Sequence, residues 1–599
     1  MRENRELRWL RRGAILLVLA SAVAVAFASH AAEPRPAQDD VLKLMPKDVI
    51  GLVVVRRLAD TSAKIDKLIE TVGGEAPALL DNLRASIAGG QFESLDAERD
   101  AALAALPLGE GEELPGLLVY LPTNDYAALS KELGAPADAG KIAEVKLVGS
   151  PLLMGRREGY AMLTERKYRA ALEAVIDGQT AEPAALKSWT GWIAEQDVVA
   201  VADTSGIEWL AAQARKGLDE VREAMERSGA AANPAVAGLG VYETLLKHAT
   251  EGVALAAVGG RIDAEGNVIL SKRARFAPDA AVRKVLAENK SPAAEPLQGL
   301  PDEPFVFAAA IATPESLTRL MMDFSMDIMR AMLEIYGLNN EQIDKMVEIS
   351  RDSLEGFRGM SMMMGVGKPG DPAYANIQGV MFVDDADAFA RSYGKYLSAT
   401  AELMKTGQKA MIRQMGFAEV KPGLWKIEIE VDTAALMGGQ EMPPEARAAM
   451  PQLFGADGKM TAYMAKVDAK RILFAYAPES NVEAMVEGTR AGKPGLSAQK
   501  QLAGTARLLP DQAPLVVYIS PSGYMAYTMR LLKPMFERMG VPFQVPEFPA
   551  CPPIGMAAEF RDGEVLGRVV VPAEALRAIG QFGQAIQNAN QQPVLELEM

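Results

Sequence analysis

The fold of this chain is predicted from the stretch DVVAVADTS, residues 197–205. Residues 198–202 are short and apolar, and the valines among them have a high strand propensity. Asp203-Thr204-Ser205 are residue types that begin helices, because their side-chain oxygens accept hydrogen bonds from free backbone N–H groups. The amphipathic segment 207–227 follows, with apolar side chains on one side at Trp209, Leu210, Ala214 and Leu218. The stretch therefore predicts a strand, a cap and a helix in succession.

This strand–cap–helix unit recurs along the chain, which is typical of an internal repeat. In the first half the strands are predicted at 51–57, 117–122, 159–163 and 197–202. In the second half they are predicted at 304–312, 379–383, 471–477 and 513–519. The residues that follow the strands are Asp60-Thr61-Ser62, Thr123-Asn124-Asp125, Thr164-Glu165, Asp203-Thr204-Ser205, Thr313-Pro314-Glu315, Asp384-Asp385-Ala386-Asp387, Pro478-Glu479-Ser480 and Ser520-Pro521-Ser522.

The two halves also begin and end alike. Each begins with a Leu-Pro-like signal, at residues 44–48 and 300–303, and each ends with a predicted hairpin and helix. The hairpin turns are expected at 263–267 and 561–564, where Gly follows an acidic residue. We therefore predict a duplication, with a first lobe at 33–290, a linker at 289–299, a second lobe at 300–588 and a polar tail at 589–599. The second lobe carries an insertion at about 418–458.

The fold class predicted from these units is α+β. Each lobe is expected to be a mainly antiparallel sheet with helices packed on one face, because hairpins are frequent. The insertion contains LWKIEIEV, residues 424–431, whose alternation predicts a half-buried strand with Trp425, Ile427, Ile429 and Val431 on one face. A parallel Rossmann-like order is disfavoured, since no Gly-rich first turn is present.

Composition excludes several classes of protein. The chain has 599 residues, is 49% hydrophobic and carries a formal net charge of -15. Those values describe a globular chain that is neither largely disordered nor a polytopic membrane protein. The acidic balance argues against nucleic-acid binding. A single Cys and two His leave little room for thiol, zinc or catalytic-triad chemistry.

Residues 1–32 have the pattern of a secretory signal peptide: five arginines, an uncharged apolar run at 14–28, and small residues around Ala31 and Ala32. The run is short for a membrane span, so we expect a cleaved signal and no span afterwards, with an uncleaved anchor as the alternative. The only Cys is Cys551, which leaves no N-terminal lipidation site. We therefore expect an exported protein, periplasmic or extracellular.

The recurring Asp, Ser and Thr residues can be interpreted as catalytic carboxylates and hydroxyls or as helix caps. Capping is favoured, since one active site does not need a copy in every unit. His248, the only His after cleavage, lacks a G-x-S-x-G partner and is predicted at a helix end. Ser497-Ala498-Gln499-Lys500 matches S-x-x-K, but Lys405-Thr406-Gly407 precedes it and resembles a helix end. Both candidates are interpreted as structural.

The remaining motifs are weaker. Residues 365–370, GVGKPG, lack the first Gly and the Ser/Thr of a phosphate loop and predict a plain loop. The Met-rich segment 321–364 is assigned to core packing, ahead of an apolar groove and of Cu(I) binding by thioethers. Met363 is expected to oppose Met362 and Met364 on a strand, which argues against one metal site. Asp384, Asp385 and Asp387 do not fit a calcium loop, and Cys551 is expected to be buried and inert.

In its repeated units the chain resembles a group of uncharacterised bacterial exported proteins, a domain of unknown function. These proteins have a signal peptide followed by repeats of Leu-Pro-x-Asp, an apolar strand and an amphipathic helix. The matching residues are 44–55, 300–309 and 509–519. The resemblance implies export and the repeated fold. It brings no activity and no functional residues.

The functional prediction is an exported, non-catalytic binding or scaffold protein of the bacterial cell envelope, whose partner is a protein or an apolar ligand. We predict no catalytic residue, no metal site and no cofactor. The alternative is a carboxylate-dependent hydrolase acting outside the cytoplasm. A polar cleft with facing carboxylates would favour the hydrolase, and an apolar, Met-lined groove would favour binding.

Overall fold

The computed structural model describes residues 41–591 except 77, 83–92, 110, 137–139, 148–149, 181, 228–233, 289–296, 313–314, 336–338, 407–411, 432–454, 456–457, 493–494, 512 and 539–544. The predicted signal peptide at 1–32 lies outside the described residues. So do most of the predicted linker and of the loop in the insertion, the predicted cap at Thr313-Pro314, and residues 592–599 of the predicted tail.

The fold is mixed α/β with a large antiparallel sheet, as the coarse fold prediction states. Each strand predicted from the repeated unit is confirmed, with slightly shifted ends. The described strands are β1 Gly51–Val55, β2 Ala101–Leu106, β3 Gly116–Pro122, β4 Ile142–Leu147, β5 Ser150–Arg157, β6 Tyr160–Thr164, β7 Val198–Asp203, β8 Val253–Ile262, β9 Val268–Phe276, β10 Phe305–Ala312, β11 Phe357–Gly365, β12 Ile377–Val383, β13 Ile412–Lys421, β14 Leu424–Val431, β15 Lys459–Lys466, β16 Arg471–Ala475, β17 Leu515–Ile519, β18 Ile554–Arg561 and β19 Glu564–Val571.

Helices separate many of the strands. The described α-helices are α1 Leu58–Thr71, α2 Tyr126–Glu132, α3 Arg169–Ile176, α4 Thr190–Ala194, α5 Thr204–Arg227, α6 Pro234–Thr250, α7 Ala281–Glu288, α8 Glu315–Ile335, α9 Asn340–Ser353, α10 Ala386–Thr406, α11 Glu479–Arg490, α12 Lys500–Ala506, α13 Pro521–Arg538 and α14 Ala573–Gln591. Short 3-10 helices lie at Val41–Leu44, Arg166–Tyr168, Ala184–Trp189 and Leu496–Ala498.

The chain divides into two compact units. Unit 1 consists of Met1–Leu210, Val253–Arg275 and Arg568–Gln581, and unit 2 of Ala211–Gly252, Phe276–Gly567 and Phe582–Met599. In unit 1 the strands pair in the order β4-β5-β6-β3-β2-β1-β7-β8, and every pairing is antiparallel.

In unit 2 the strands pair in the order β13-β14-β15-β16-β12-β11-β10-β17-β18, again with every pairing antiparallel. The alternation predicted for LWKIEIEV is confirmed: Trp425 and Ile427 are buried in one cluster, whereas Glu428 between the isoleucines is exposed.

Helices cover both faces of the sheet in unit 2, so the expectation that they cover one face is wrong there. Helix α10 packs on a cluster with Trp425, Met464 and Ile472. Helix α11 packs on the neighbouring positions Leu424, Tyr463, Ala465 and Leu473. Neighbouring residues of a strand point to opposite faces. The strands carry apolar residues at both odd and even positions, so both faces of the sheet must be buried by packed helices.

Capping is confirmed for four of the repeated units. Asp125, Asp203, Asp385 and Ser520 each accept a hydrogen bond from the backbone N–H three residues later, at 2.9–3.0 Å. The prediction is wrong for Asp60-Thr61-Ser62, Glu165 and Pro478. Helix α1 begins earlier, after Arg57 in a left-handed conformation, and no side-chain cap bonds form at Glu165 or Pro478.

The two predicted hairpin turns are confirmed. Asp263 and Asn267 close the first turn with a backbone hydrogen bond of 3.2 Å. Asp562 and Gly563 form the second with φ values of 52° and 73°, a backbone that glycine adopts without strain. The predicted helix at 207–227 is also confirmed as part of α5, but its predicted apolar side is partly exposed, with Leu210 at 52% exposure.

Candidate functional site

An open cavity of about 1220 Å³ lies within unit 2, where β10 begins and β17 ends. Since β10 and β17 pair antiparallel, with Phe307 opposite Ile519, the segment before β10 and the segment after β17 meet at the same end of these two strands. Residues 302–305 therefore form one side of the cavity, and Ser520, Ser522, Gly523, Met525, Ala526 and Met529 form another. Residues 366–368, 498–501 and 545–548 complete its lining together with Asn376, Ala550 and Phe582.

One wall of the cavity is apolar. Phe305 and Phe582 are buried, and the Phe548 and Phe582 rings pack with centroids 5.0 Å apart. Met525 and Met529 are half-buried on α13 and line the same wall, since residues four apart share a helix face. The flexible thioethers of methionine fit apolar ligands of varied shape. This wall can therefore bury the apolar part of a ligand.

The rim of the cavity is charged. Asp302, Glu303 and Glu547 supply three exposed carboxylates, and Lys368 and Lys500 supply two exposed ammonium groups. Asp302 is already engaged, because Gln499 Nε2 donates to its Oδ1 at 2.6 Å. The rim thus carries three negative and two positive side chains, which can contact the polar part of a ligand.

Helix α13 enters the cavity wall through a tight backbone contact. Ser520 Oγ accepts the Gly523 N–H at 3.0 Å, and the Ser520 N–H donates to the Val306 carbonyl at 2.9 Å. Gly523 lies directly against the carbonyl of Phe305, where any side chain would overlap that oxygen. The cap and the glycine together fix the start of α13 on β10.

The same helix holds the loop that follows β11. Arg530 Nη1 donates to the carbonyls of Lys368, at 3.2 Å, and Asp371, at 2.6 Å. Tyr527 donates its hydroxyl to the Ala373 carbonyl at 3.1 Å. Burial raises the pKa of Tyr527 while Arg530 opposes the rise, so the phenol remains a donor at neutral pH. Helix α13 therefore positions both the apolar wall of the cavity and the loop that carries Lys368.

Residues of the S-x-x-K and GVGKPG motifs line this cavity. Neither motif forms the nucleophile helix or the phosphate loop associated with its pattern, as the sequence predicts. Ser497 lies in a 3-10 helix and Lys500 begins α12, with Gln499 extended between them. The two side chains therefore do not share a helical turn. GVGKPG is confirmed as a loop between β11 and β12. Lys405 and Thr406, from the motif that accompanies S-x-x-K, end helix α10. Both motifs contribute rim residues instead.

His248 lies away from the cavity, in the last turn of α6 as predicted. Its Nε2 is 2.8 Å from Asp327 Oδ2, and its ring packs edge-on against Phe324, with centroids 5.1 Å apart. Both partners belong to α8. The contact therefore joins two helices of unit 2.

The methionines at 360–364 form part of β11. Their predicted alternation is confirmed, since Met363 is fully buried while Met362 and Met364 are half-buried on the opposite face. Cys551 is buried, as expected.

The acidic residues 384, 385 and 387 serve separate structural contacts. Asp384 pairs with Arg358, and Asp387 with Lys466 at 2.5 Å. The Ala388 N–H lowers the pKa of Asp385, as expected for a capping carboxylate. In the described part of the chain, His, Cys, Asp and Glu form no group of three that could hold a metal ion. In the same part, no helix has both the length and the apolar content to cross a membrane.

Comparison of the chain with family models, with curated proteins and with solved structures finds no match. The site must therefore be interpreted from its own chemistry. The cavity could not be predicted from the sequence, because its lining comes from segments as far apart as residues 302 and 582. The sequence features that indicate this cavity are Met525 and Met529, which lie four residues apart on the helix that Ser520 caps.

Proposed function

We propose that the chain is an exported, non-catalytic binding protein of the bacterial cell envelope that holds an amphipathic small molecule in the unit 2 cavity. The observation that carries this proposal is that the cavity lining combines buried or half-buried apolar side chains with exposed charged side chains. Small-molecule sites commonly combine a mostly apolar lining with a few polar groups that orient the ligand. Export is supported by the basic, apolar and small-residue pattern of residues 1–32.

The rim charges narrow the class of ligand. Lys368 and Lys500 lie on the same rim as Glu303 and Glu547, so neither a strong anion nor a strong cation is favoured. A net-acidic chain further repels anions at long range. The rim fits an uncharged or zwitterionic polar group, with the apolar part against Met525 and Met529.

We also propose that the two halves arose by duplication. The support is that both units order their strands alike, once β1–β8 are matched in chain order to β10–β18 and one extra strand is allowed in the 412–466 region. A second observation in support of duplication is a helix-cap contact that both units share. In each unit a capping residue bonds to a glycine N–H three residues on, and that glycine abuts a carbonyl near the first strand: Gly206 on Ile50, and Gly523 on Phe305.

The binding proposal is tested with delipidated protein and the neutral apolar probe 1-N-phenylnaphthylamine. Ala526 is an exposed, small residue of the cavity lining, so Ala526→Trp adds bulk to the cavity with little strain. We expect the wild-type protein to bind the probe and Ala526→Trp to weaken binding about 10-fold, or about 1.4 kcal/mol. Fluorescence titration measures this.

Tyr524→Trp is the matched control, because Tyr524 lies on the same helix, is 54% exposed and does not line the cavity. It is expected to leave probe affinity unchanged. Equal affinities for the two variants, or no probe binding by the wild-type protein, would contradict the proposal. Native mass spectrometry of protein from its own host then identifies the bound molecule.

The hydrolase alternative has one observation in its favour, the three carboxylates on the same rim. It requires two of them to act as acid and base or nucleophile. Under this alternative, Glu303→Gln and Glu547→Gln would each abolish turnover of a chromogenic ester or glycoside. Under the binding proposal the wild-type protein shows no turnover, and both variants still bind the naphthylamine probe.

A further inference from the structure

A second, smaller cavity of about 200 Å³ lies in unit 2 beside α10. Three methionines from two neighbouring strands line it: Met360, Met362 and Met381. The rings of Tyr393 and Phe474 line it as well. Among the residues that the structure describes, none lines both cavities, so we treat the smaller cavity as an independent site.

The strand register brings the three thioethers to one face. Met360 lies directly opposite Met381 in the β11–β12 ladder, and directly paired residues have Cβ atoms about 4.5–5.5 Å apart. Met362 is two residues from Met360 on the same strand, and so on the same face at about 7 Å. All three are half-buried and adjoin the same space. Flexible methionine side chains can therefore converge there.

A glycine keeps this space open. Gly379 lies opposite Met362 on one side and opposite Phe474 on the other, in the middle of three paired strands. A Cβ at Gly379 would lie 2.9 Å from the Ser361 carbonyl oxygen and 3.2 Å from Met362 Cβ. Gly379 therefore places no side chain in the cavity that the three methionines line.

The donor chemistry of the cavity is soft. Thioethers select Cu(I) over hard cations such as Mg²⁺ and Ca²⁺, which require oxygen ligands. Aromatic faces such as those of Tyr393 and Phe474 attract cations. We infer that Met360, Met362 and Met381 form a binding site for a soft monovalent ion, Cu(I) or its analogue Ag(I).

The alternation of Met362, Met363 and Met364 along one strand argues against a metal site built from consecutive methionines. Met363 does point to the opposite face, as predicted. The third ligand is Met381, which lies on β12 directly opposite Met360 in the β11–β12 ladder.

The test is an Ag(I) titration of the full chain in chloride-free buffer, followed by desalting and metal analysis. The background is Cys551→Ala, because a thiol also binds soft ions. Competition with bicinchoninate gives the Cu(I) affinity. We expect one tight equivalent, and Met360→Leu, Met362→Leu and Met381→Leu should each weaken binding about 10-fold or more, since each removes one ligand. Leucine conserves the side-chain volume, so folding is retained.

Met363→Leu is the matched control, on the same strand but the opposite face, and should leave the affinity unchanged. X-ray absorption should show sulfur ligands only. If the Met360→Leu/Met362→Leu/Met381→Leu triple variant retains as much Ag(I) as the background protein, or the background protein retains none, the inference is wrong. Neither result bears on the larger cavity, which the naphthylamine titration tests separately.

Discussion

Replacing Lys64 with methionine is expected to lower the free energy of unfolding of unit 1 by about 3–5 kcal/mol, the usual cost of leaving one partner of a buried ion pair alone. Lys64 is 5% exposed and Asp197 is 7% exposed. The Lys64 ammonium donates to Asp197 Oδ1 and lies 3.6 Å from Asp60 Oδ2. Methionine fills a similar volume but leaves the Asp197 carboxylate without its ammonium partner.

The position of this pair explains the expected size of the effect. Lys64 lies on α1, and Asp197 immediately precedes β7. Asp197 Oδ2 accepts the Ile262 N–H at 3.0 Å, at the end of β8, and its backbone carbonyl accepts the Arg56 N–H at 2.8 Å. The pair therefore connects a helix with three strand ends, and losing it leaves a buried charge among them.

The loss should also depend on pH. Burial raises the pKa of Asp197, and Lys64 opposes that rise, so removing Lys64 raises the pKa further. A carboxyl group with a higher pKa in the folded chain favours folding at low pH, and that contribution is lost as pH rises through the folded-state pKa. The destabilisation by Lys64→Met should therefore be smaller at pH 5 than at pH 8.

Urea unfolding followed by tryptophan fluorescence measures the effect, because Trp189, Trp192 and Trp209 all lie in unit 1. The double variant Lys64→Met/Asp197→Leu is the control. It removes both charges and should recover most of the lost stability, since a buried pair replaced by apolar residues is often neutral. Equal midpoints for Lys64→Met and the wild-type protein at pH 8 would show that the pair does not support the fold.

Gly206→Ala and Gly523→Ala are expected to destabilise units 1 and 2, respectively, by about 1–3 kcal/mol or more, as overpacking against rigid structure does. A Cβ at Gly206 would overlap the Ile50 carbonyl oxygen, and one at Gly523 would overlap that of Phe305. Neither carbonyl can yield easily, because each lies where the chain enters β1 or β10 in the middle of its sheet.

Two other helical glycines provide controls. Gly217, on the same helix as Gly206, and Gly504, on α12, have no neighbouring atoms where a Cβ would be placed. Alanine there should be neutral or stabilise by roughly 0.5–1 kcal/mol, because glycine in a helix is costly. Thermal unfolding and amide hydrogen exchange of β1 and β10 measure all four variants. Similar effects at Gly206 and Gly217 would contradict the close-contact argument.

Short sequence patterns were enough to predict the individual strands, turns and several helix caps. Short apolar runs ending in polar residues specified strands such as β7 and β17, because strand propensity and helix capping act over a few residues. The turn at Asp562-Gly563 and the alternation of β14 were specified in the same way. Capping failed at α1, where Asp60 pairs with Lys64 and the helix begins after a left-handed Arg57.

The order of the strands and the two cavities depend on contacts between distant segments of the folded chain. No local pattern records that β1 lies between β2 and β7, or that Met381 faces Met360, because pairing joins segments distant in the chain. The larger cavity likewise assembles segments that are hundreds of residues apart. Hydrogen bonding between strands and burial of apolar faces set these neighbours, and both depend on the whole chain rather than on any short stretch.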